Sequence, residues 1–293
     1  MQQLDIFADS VPVQRANVLI AALSRFDRTA SRQALQSLVS ADPDHAGLPY
    51  FRVLCEFVSK WPDGWDAPSR PLDAIAAAEK MITEHIIPAA AIMGDASLTL
   101  VRTCWSDLAQ RSEAAGIGPE HPGCFAAELY SRAQQPTDVV RTAQGIPGAD
   151  RRAVVQRWLG LGHYRCGAIE PSRTAALRYA WLAPQRFNAF VEEMSDPALT
   201  RDWRNFQADL GDLDATWFPA WCAHEKKSGT TIADNVPPGN GPMAYRLVVG
   251  LSIREQGGLC AAVYEDRARL KRLDDSFFAF YMKHRSDLIP RLR

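Results

Sequence analysis

The chain lacks most of the features that announce a chemistry. Charge of one sign is missing: 33 Lys plus Arg stand against 34 Asp plus Glu in 293 residues, for a formal net charge of −1. A balance that close argues against a protein that coats nucleic acid. Long hydrophobic runs are missing too. The most apolar stretch, from Ile86 to Met93, is broken by Pro88 and is far shorter than a bilayer requires. The start, Met1-Gln2-Gln3-Leu4-Asp5, has neither the basic opening nor the apolar run of a signal peptide. The six cysteines (Cys55, Cys104, Cys124, Cys166, Cys222 and Cys260) form no Cys-x-x-Cys pair and sit mostly within apolar helical patterns. There a free thiol acts as a small hydrophobe. The expectation is a reduced, cytoplasmic protein with no disulfide framework and no membrane contact.

Catalytic signatures are equally sparse. There is no Gly-x-Ser-x-Gly elbow and no His-Glu-x-x-His helix. The turns at residues 145–148 (GIPG) and 238–241 (PGNG) are neither a phosphate-binding loop nor a dinucleotide fingerprint, which need a strand before and a helix after. Three His/Cys pairs are spaced like half of a metal site: His121 with Cys124, His163 with Cys166, and Cys222 with His224. None has a second half nearby, as a tetrahedral site demands, so neither a metal nor a cofactor is expected. The neighbouring carboxylates Glu192-Glu193 and Asp274-Asp275 point in different directions on a helix and read as solvated charges.

What the sequence does contain is helix. Apolar residues recur at spacings of three and four, among many Ala, Leu, Arg and Gln, and no run of period-2 alternation interrupts them. Helices are expected over about 13–26 (with Val18, Ala21, Ala22 and Phe26 inward), 28–40 behind an Asp27 cap, and 48–60. A proline-bearing loop, 61–71, places Pro71 at the first position of a helix running to about His85. Helices follow over about 97–115, 125–134, 137–144, 150–165, 172–183, 185–194, 197–210 and 213–227. Two or three more lie between 243 and 285. The expected fold class is all-α. Residues 1–11 form an extended segment and 12–293 one continuous helical array, with sub-boundaries near 117–123 and 235–242.

Trp158, Leu161 and Gly162, with Tyr164 one position early, and Ala175, Tyr179 and Pro184 downstream, resemble the tetratricopeptide repeat. The first helix pair, ending in Ala41-Asp42-Pro43, is similar in length. That resemblance implies antiparallel helix pairs stacked as a superhelix that binds proteins. A compact α-helical bundle would use the same devices and stays open as the other arrangement.

Gln3-Leu4-Asp5-Ile6-Phe7 resembles the peptide by which many bacterial proteins bind the DNA sliding clamp, Gln-Leu-(Ser or Asp)-Leu-Phe. The resemblance implies that Gln3 reaches backbone groups of the clamp and that Leu4, Ile6 and Phe7 fill an apolar pocket, with Asp5 completing the partner-binding pentapeptide. The alternative is that Leu4, Ile6 and Phe7 pack on their own chain. The expectation is therefore a non-enzymatic scaffold with a protein partner, the sliding clamp foremost, and no direct contact to nucleic acid. The competing reading is an all-α enzyme or small-ligand binder that uses scattered His, Asp and Arg. The aromatics Trp203, Phe206, Trp217, Phe218 and Trp221 read as core. Phe277, Phe278, Phe280 and Tyr281 read as the closing layer, ahead of a basic end that includes Lys283, His284 and Arg285.

Overall fold

The computed structural model describes residues 10–61, 70–225 and 235–283. Helix dominates throughout and no strand occurs among them, so the fold is all-α. The chain divides into two compact units, one ending at Asp138 and the other beginning at Val139.

The first unit holds α1 (Val11–Ser24), α2 (Arg28–Ala41), α3 (Leu48–Lys60), α4 (Pro71–Met81), α5 (Ile87–Ala90), α6 (Ala96–Ala114) and α7 (Ala126–Arg132). The helix α8 (Pro136–Gln144) spans the division. Local chemistry explains several boundaries. Ser10 is extended and Pro12 follows in the first turn of α1, where its missing N–H costs nothing. The Asp27 carboxylate accepts from the N–H groups of Thr29 and Ala30, capping α2 as the sequence implies. Gly116, at φ +65, ends the turn after α6 in a conformation that suits glycine.

Two readings of this unit are corrected. The inward stripe of α1 is Ala16, Leu19, Ala22 and Leu23, whereas Val18 is 57% exposed and Ala21 is also exposed. Phe26 lies beyond the helix at φ +54. The run Val18-Leu19-Ile20-Ala21-Ala22-Leu23 is apolar on every side, so several adjacent stripes fit its periodicity equally well. The helix beginning at Pro71 does not stop at His85. It widens into a π turn, Ile82–Ile86, and continues into α5 despite Pro88. The wider turn accommodates a ring that an i−4 carbonyl would obstruct.

The core of this unit is Leu19, Leu23, Leu38, Leu54, Val58, Ile82 and Leu100, each fully buried. Polar ties join its helices. Trp61 Nε1 donates to Asp107 Oδ2 at 2.9 Å. The Arg132 guanidinium lies 4.9 Å from the Trp105 ring centroid and 2.6 Å from Glu79 Oε1, linking α7 to α6 and α4.

The second unit holds α9 (Ala153–Arg165), α10 (Ile169–Leu182), α11 (Phe187–Met194), α12 (Pro197–Leu210), α13 (Phe218–His224), α14 (Asn240–Arg254), α15 (Ala261–Leu273) and α16 (Asp275–Lys283). The helices α9 and α10 pack tightly against each other. Ser172 Oγ donates to the Gly160 carbonyl at 2.8 Å, and a Cβ at Gly160 would lie 2.8 Å from Phe190 Cζ. A close approach is thus made at Gly160. Trp158, Leu161, Ala175 and Tyr179 are all buried.

The aromatic residues of this unit form its core, as their spacing implied. Phe187, Trp203, Phe206, Phe218 and Trp221 meet in edge-on, tilted and stacked pairs with centroids 5.0 to 6.3 Å apart. Phe277 and Tyr281 of α16 are fully buried in the same core. The expected helix over 213–227 is shorter in its described part. Asp214 caps a 3₁₀ turn, Ala215–Trp217, and α13 starts anew at Phe218 because Pro219 fits only a first turn.

Candidate functional site

The five residues singled out for partner binding, Gln3, Leu4, Asp5, Ile6 and Phe7, lie outside the described residues, as do His284 and Arg285. The other histidines do not converge. His85 and His121 are exposed in the first unit. In the second, His163 is half-buried, while His224 is buried with its ring 5.4 Å from Phe280 and 5.1 Å from Tyr281. Among the described residues no three His, Cys, Asp or Glu side chains gather as a metal ion would need.

The thiols differ in surroundings. Burial pushes the Cys55 thiol up to about 11, against a smaller opposing effect of its contact with Ser31. Burial and the nearby Asp107 carboxylate raise Cys104 further still. Burial and Glu79 raise Cys124, with Arg132 opposing. These three are held as neutral thiols, the opposite of an activated nucleophile. Cys166 and Cys260 are exposed.

A cleft of about 430 Å³ opens within the second unit. Four segments build it: the 3₁₀ turn Ala149–Arg151, the end of α10, residues 235–238, and α14. The turn supplies Asp150 and Arg151. The helix α10 supplies Arg178 and Trp181, which share a face because they are three residues apart. Pro237 and Pro238 form an apolar rim, and Arg246 comes from α14. Arg246 Nη2 donates to the Val236 carbonyl at 3.0 Å, fixing the rim to that helix. The Trp181 ring meets Tyr245 edge-on at 5.2 Å.

The electrostatics are lopsided, with three guanidinium groups facing one carboxylate. The only ion pair among these four is loose, Arg151 Nε lying 4.0 Å from Asp150 Oδ2. Three polar atoms of lining residues (Asp150 Oδ2, Arg178 Nε and Trp181 Nε1) are buried and have no hydrogen-bond partner. Atoms this inaccessible belong to the wall behind the cleft, and its surface is set by the charged and apolar lining.

None of the cleft residues was picked out from the sequence. The one local signal was an Arg and a Trp three apart on α10. The break at residues 235–242, which supplies the rim, is far from α10 in sequence. No family model, curated protein or solved structure matches this chain.

Proposed function

We propose that this protein works by binding other proteins, as a helical carrier recruited to the bacterial DNA sliding clamp through Gln3, Leu4, Ile6 and Phe7. The observation that carries this reading is the pentapeptide itself, which keeps four of the five positions of the clamp-binding pattern and replaces Leu by Ile at the other. Large apolar anchors in a short extended peptide supply most of the energy in such contacts. Only Ala8, Asp9 and Ser10 separate Phe7 from α1, whose first residue is Val11. The tetratricopeptide-like features at Trp158, Leu161, Gly162, Ala175 and Tyr179 support a protein-binding role for the helices. The reading assigns the chain no chemistry of its own and no direct contact with nucleic acid.

A synthetic peptide of residues 1–9, competed against the full chain on immobilised clamp, tests it. The peptide should displace the full chain, and a Leu4→Ala/Phe7→Ala peptide should not. Bound full chain that neither peptide displaces would place any contact elsewhere, and a chain that never binds the clamp would end the reading.

One observation favours a second reading, in which the protein also holds a small molecule. It is the cleft of the second unit, whose volume lies in the ordinary range for ligand sites.

A further inference from the structure

Resting on that second reading, we infer that the cleft binds a small organic anion: a carboxylate or phosphate monoester on an apolar or aromatic body, with a hydroxyl or ammonium group facing Asp150. The lining sets Arg151, Arg178 and Arg246 against Asp150, beside Trp181, Leu182 and two prolines. A purely apolar molecule would leave those charges desolvated and unmatched.

Charge then selects among polar occupants. Three arginines against one aspartate leave the cleft net positive, and a guanidinium matches the planar oxygens of a carboxylate or phosphate. Arg178 is the inner anchor, because it is half-buried on α10. Arg151 and Arg246 are exposed at the mouth, where they attract an anion over a longer range. The body of the ligand is set by Trp181, Leu182, Pro237 and Pro238, which offer an aromatic face and apolar edges. Trp181 is only 7% exposed and is backed by Tyr245, so its indole is rigidly placed before any ligand arrives.

The test uses the full chain labelled with ¹⁵N-tryptophan, the Trp181 indole resonance being assigned with a Trp181→Phe variant. The probes are 4-hydroxyphenylacetate, phenylacetate, phenyl phosphate and 4-methylphenol. They separate the anion, its source and the hydroxyl from the shared aromatic body. The Trp181 resonance should move saturably with the anions, and 4-methylphenol should bind at least about tenfold more weakly, the scale of a charge-assisted hydrogen bond. Comparing the phenylacetates with phenyl phosphate identifies the preferred anion.

Arg178→Gln should cost the anions about tenfold in affinity and leave 4-methylphenol unchanged. Asp150→Asn should erase the advantage of 4-hydroxyphenylacetate over phenylacetate. Arg151→Gln, on an exposed side chain that cannot compromise folding, should weaken the anions a few-fold, and less at high salt. Saturable shifts of equal strength for 4-methylphenol and the anions would leave a ligand site and overturn the anion assignment. No saturable shift with any probe would overturn the ligand site as well.

Discussion

Trp181 stands edge-on to Tyr245, ring centroids 5.2 Å apart and planes at 73°, and its indole N–H is buried without a hydrogen-bond partner. Three other indoles among the described residues are matched. Trp221 donates to Asp209 at 3.0 Å, Trp203 to Asn188 at 3.0 Å and Trp61 to Asp107 at 2.9 Å. Replacing each by Phe removes a similar apolar area, but only the matched indoles lose a bond and leave an acceptor behind. Trp221→Phe should therefore destabilise the chain by about 2 kcal/mol more than Trp181→Phe. Urea unfolding followed by far-UV circular dichroism checks the difference.

Gly241, in the first turn of α14, lies against the backbone of Thr216. A Cβ there would overlap the Thr216 carbonyl oxygen, which is backbone and cannot swing aside. Gly241→Ala should cost about 3 kcal/mol even though alanine is the better helix former by about 1 kcal/mol. Gly160→Ala meets only the tip of the Phe190 ring, so a Phe190→Leu change should restore most of what it loses. A double-mutant cycle on each glycine and its neighbour distinguishes the two situations.

Glu255 Oε1 collects three donors: Arg267 Nε at 3.0 Å, Arg267 Nη2 at 2.9 Å and Tyr281 Oη at 2.6 Å. The side chains of Glu255 and Arg267 are 7% and 15% exposed. Removing one member of such a pair strands a buried charge, so Arg267→Met should cost about 3–5 kcal/mol. Tyr281→Phe, which leaves the ion pair in place, should cost about 2 kcal/mol. Equal effects in thermal unfolding would contradict the ranking.

Burial lowers the pKa of His163 below the ordinary 6.5. In the window between the folded value and 6.5 the unfolded chain binds more protons, so stability falls as the pH drops through it. His163→Gln removes that proton uptake. The urea midpoint of the variant should fall less than that of the parent when the pH is taken from about 7.5 to about 5. Parallel slopes would show that His163 titrates alike in both states.

Where one residue type decides a boundary, the sequence was readable. Asp27 caps α2, Pro197 opens α12 behind Asp196, and α3 runs from Leu48 to Lys60 as its spacing implied. Where several residues satisfy the same pattern, it was not. The α1 run 18–23 is apolar all round, so nothing local said that Leu19 and Leu23 rather than Val18 face inward. The helix from Pro71 read as ending near His85 because the π turn over 82–86, which carries it past Pro88, is a feature of geometry and not of composition. The cleft was out of reach for another reason. Its charges come from Asp150, Arg151, Arg178 and Arg246, residues that only the packing of α10 against its neighbours brings together.

The most direct measurement of the central claim is isothermal titration of the full chain with the sliding clamp of its own organism, beside a Leu4→Ala/Phe7→Ala variant. Micromolar binding that weakens at least about a hundredfold in the variant is the predicted result, each lost anchor being worth about 1.5–3 kcal/mol. Binding of equal strength by parent and variant, or none by either while both remain folded, would contradict it.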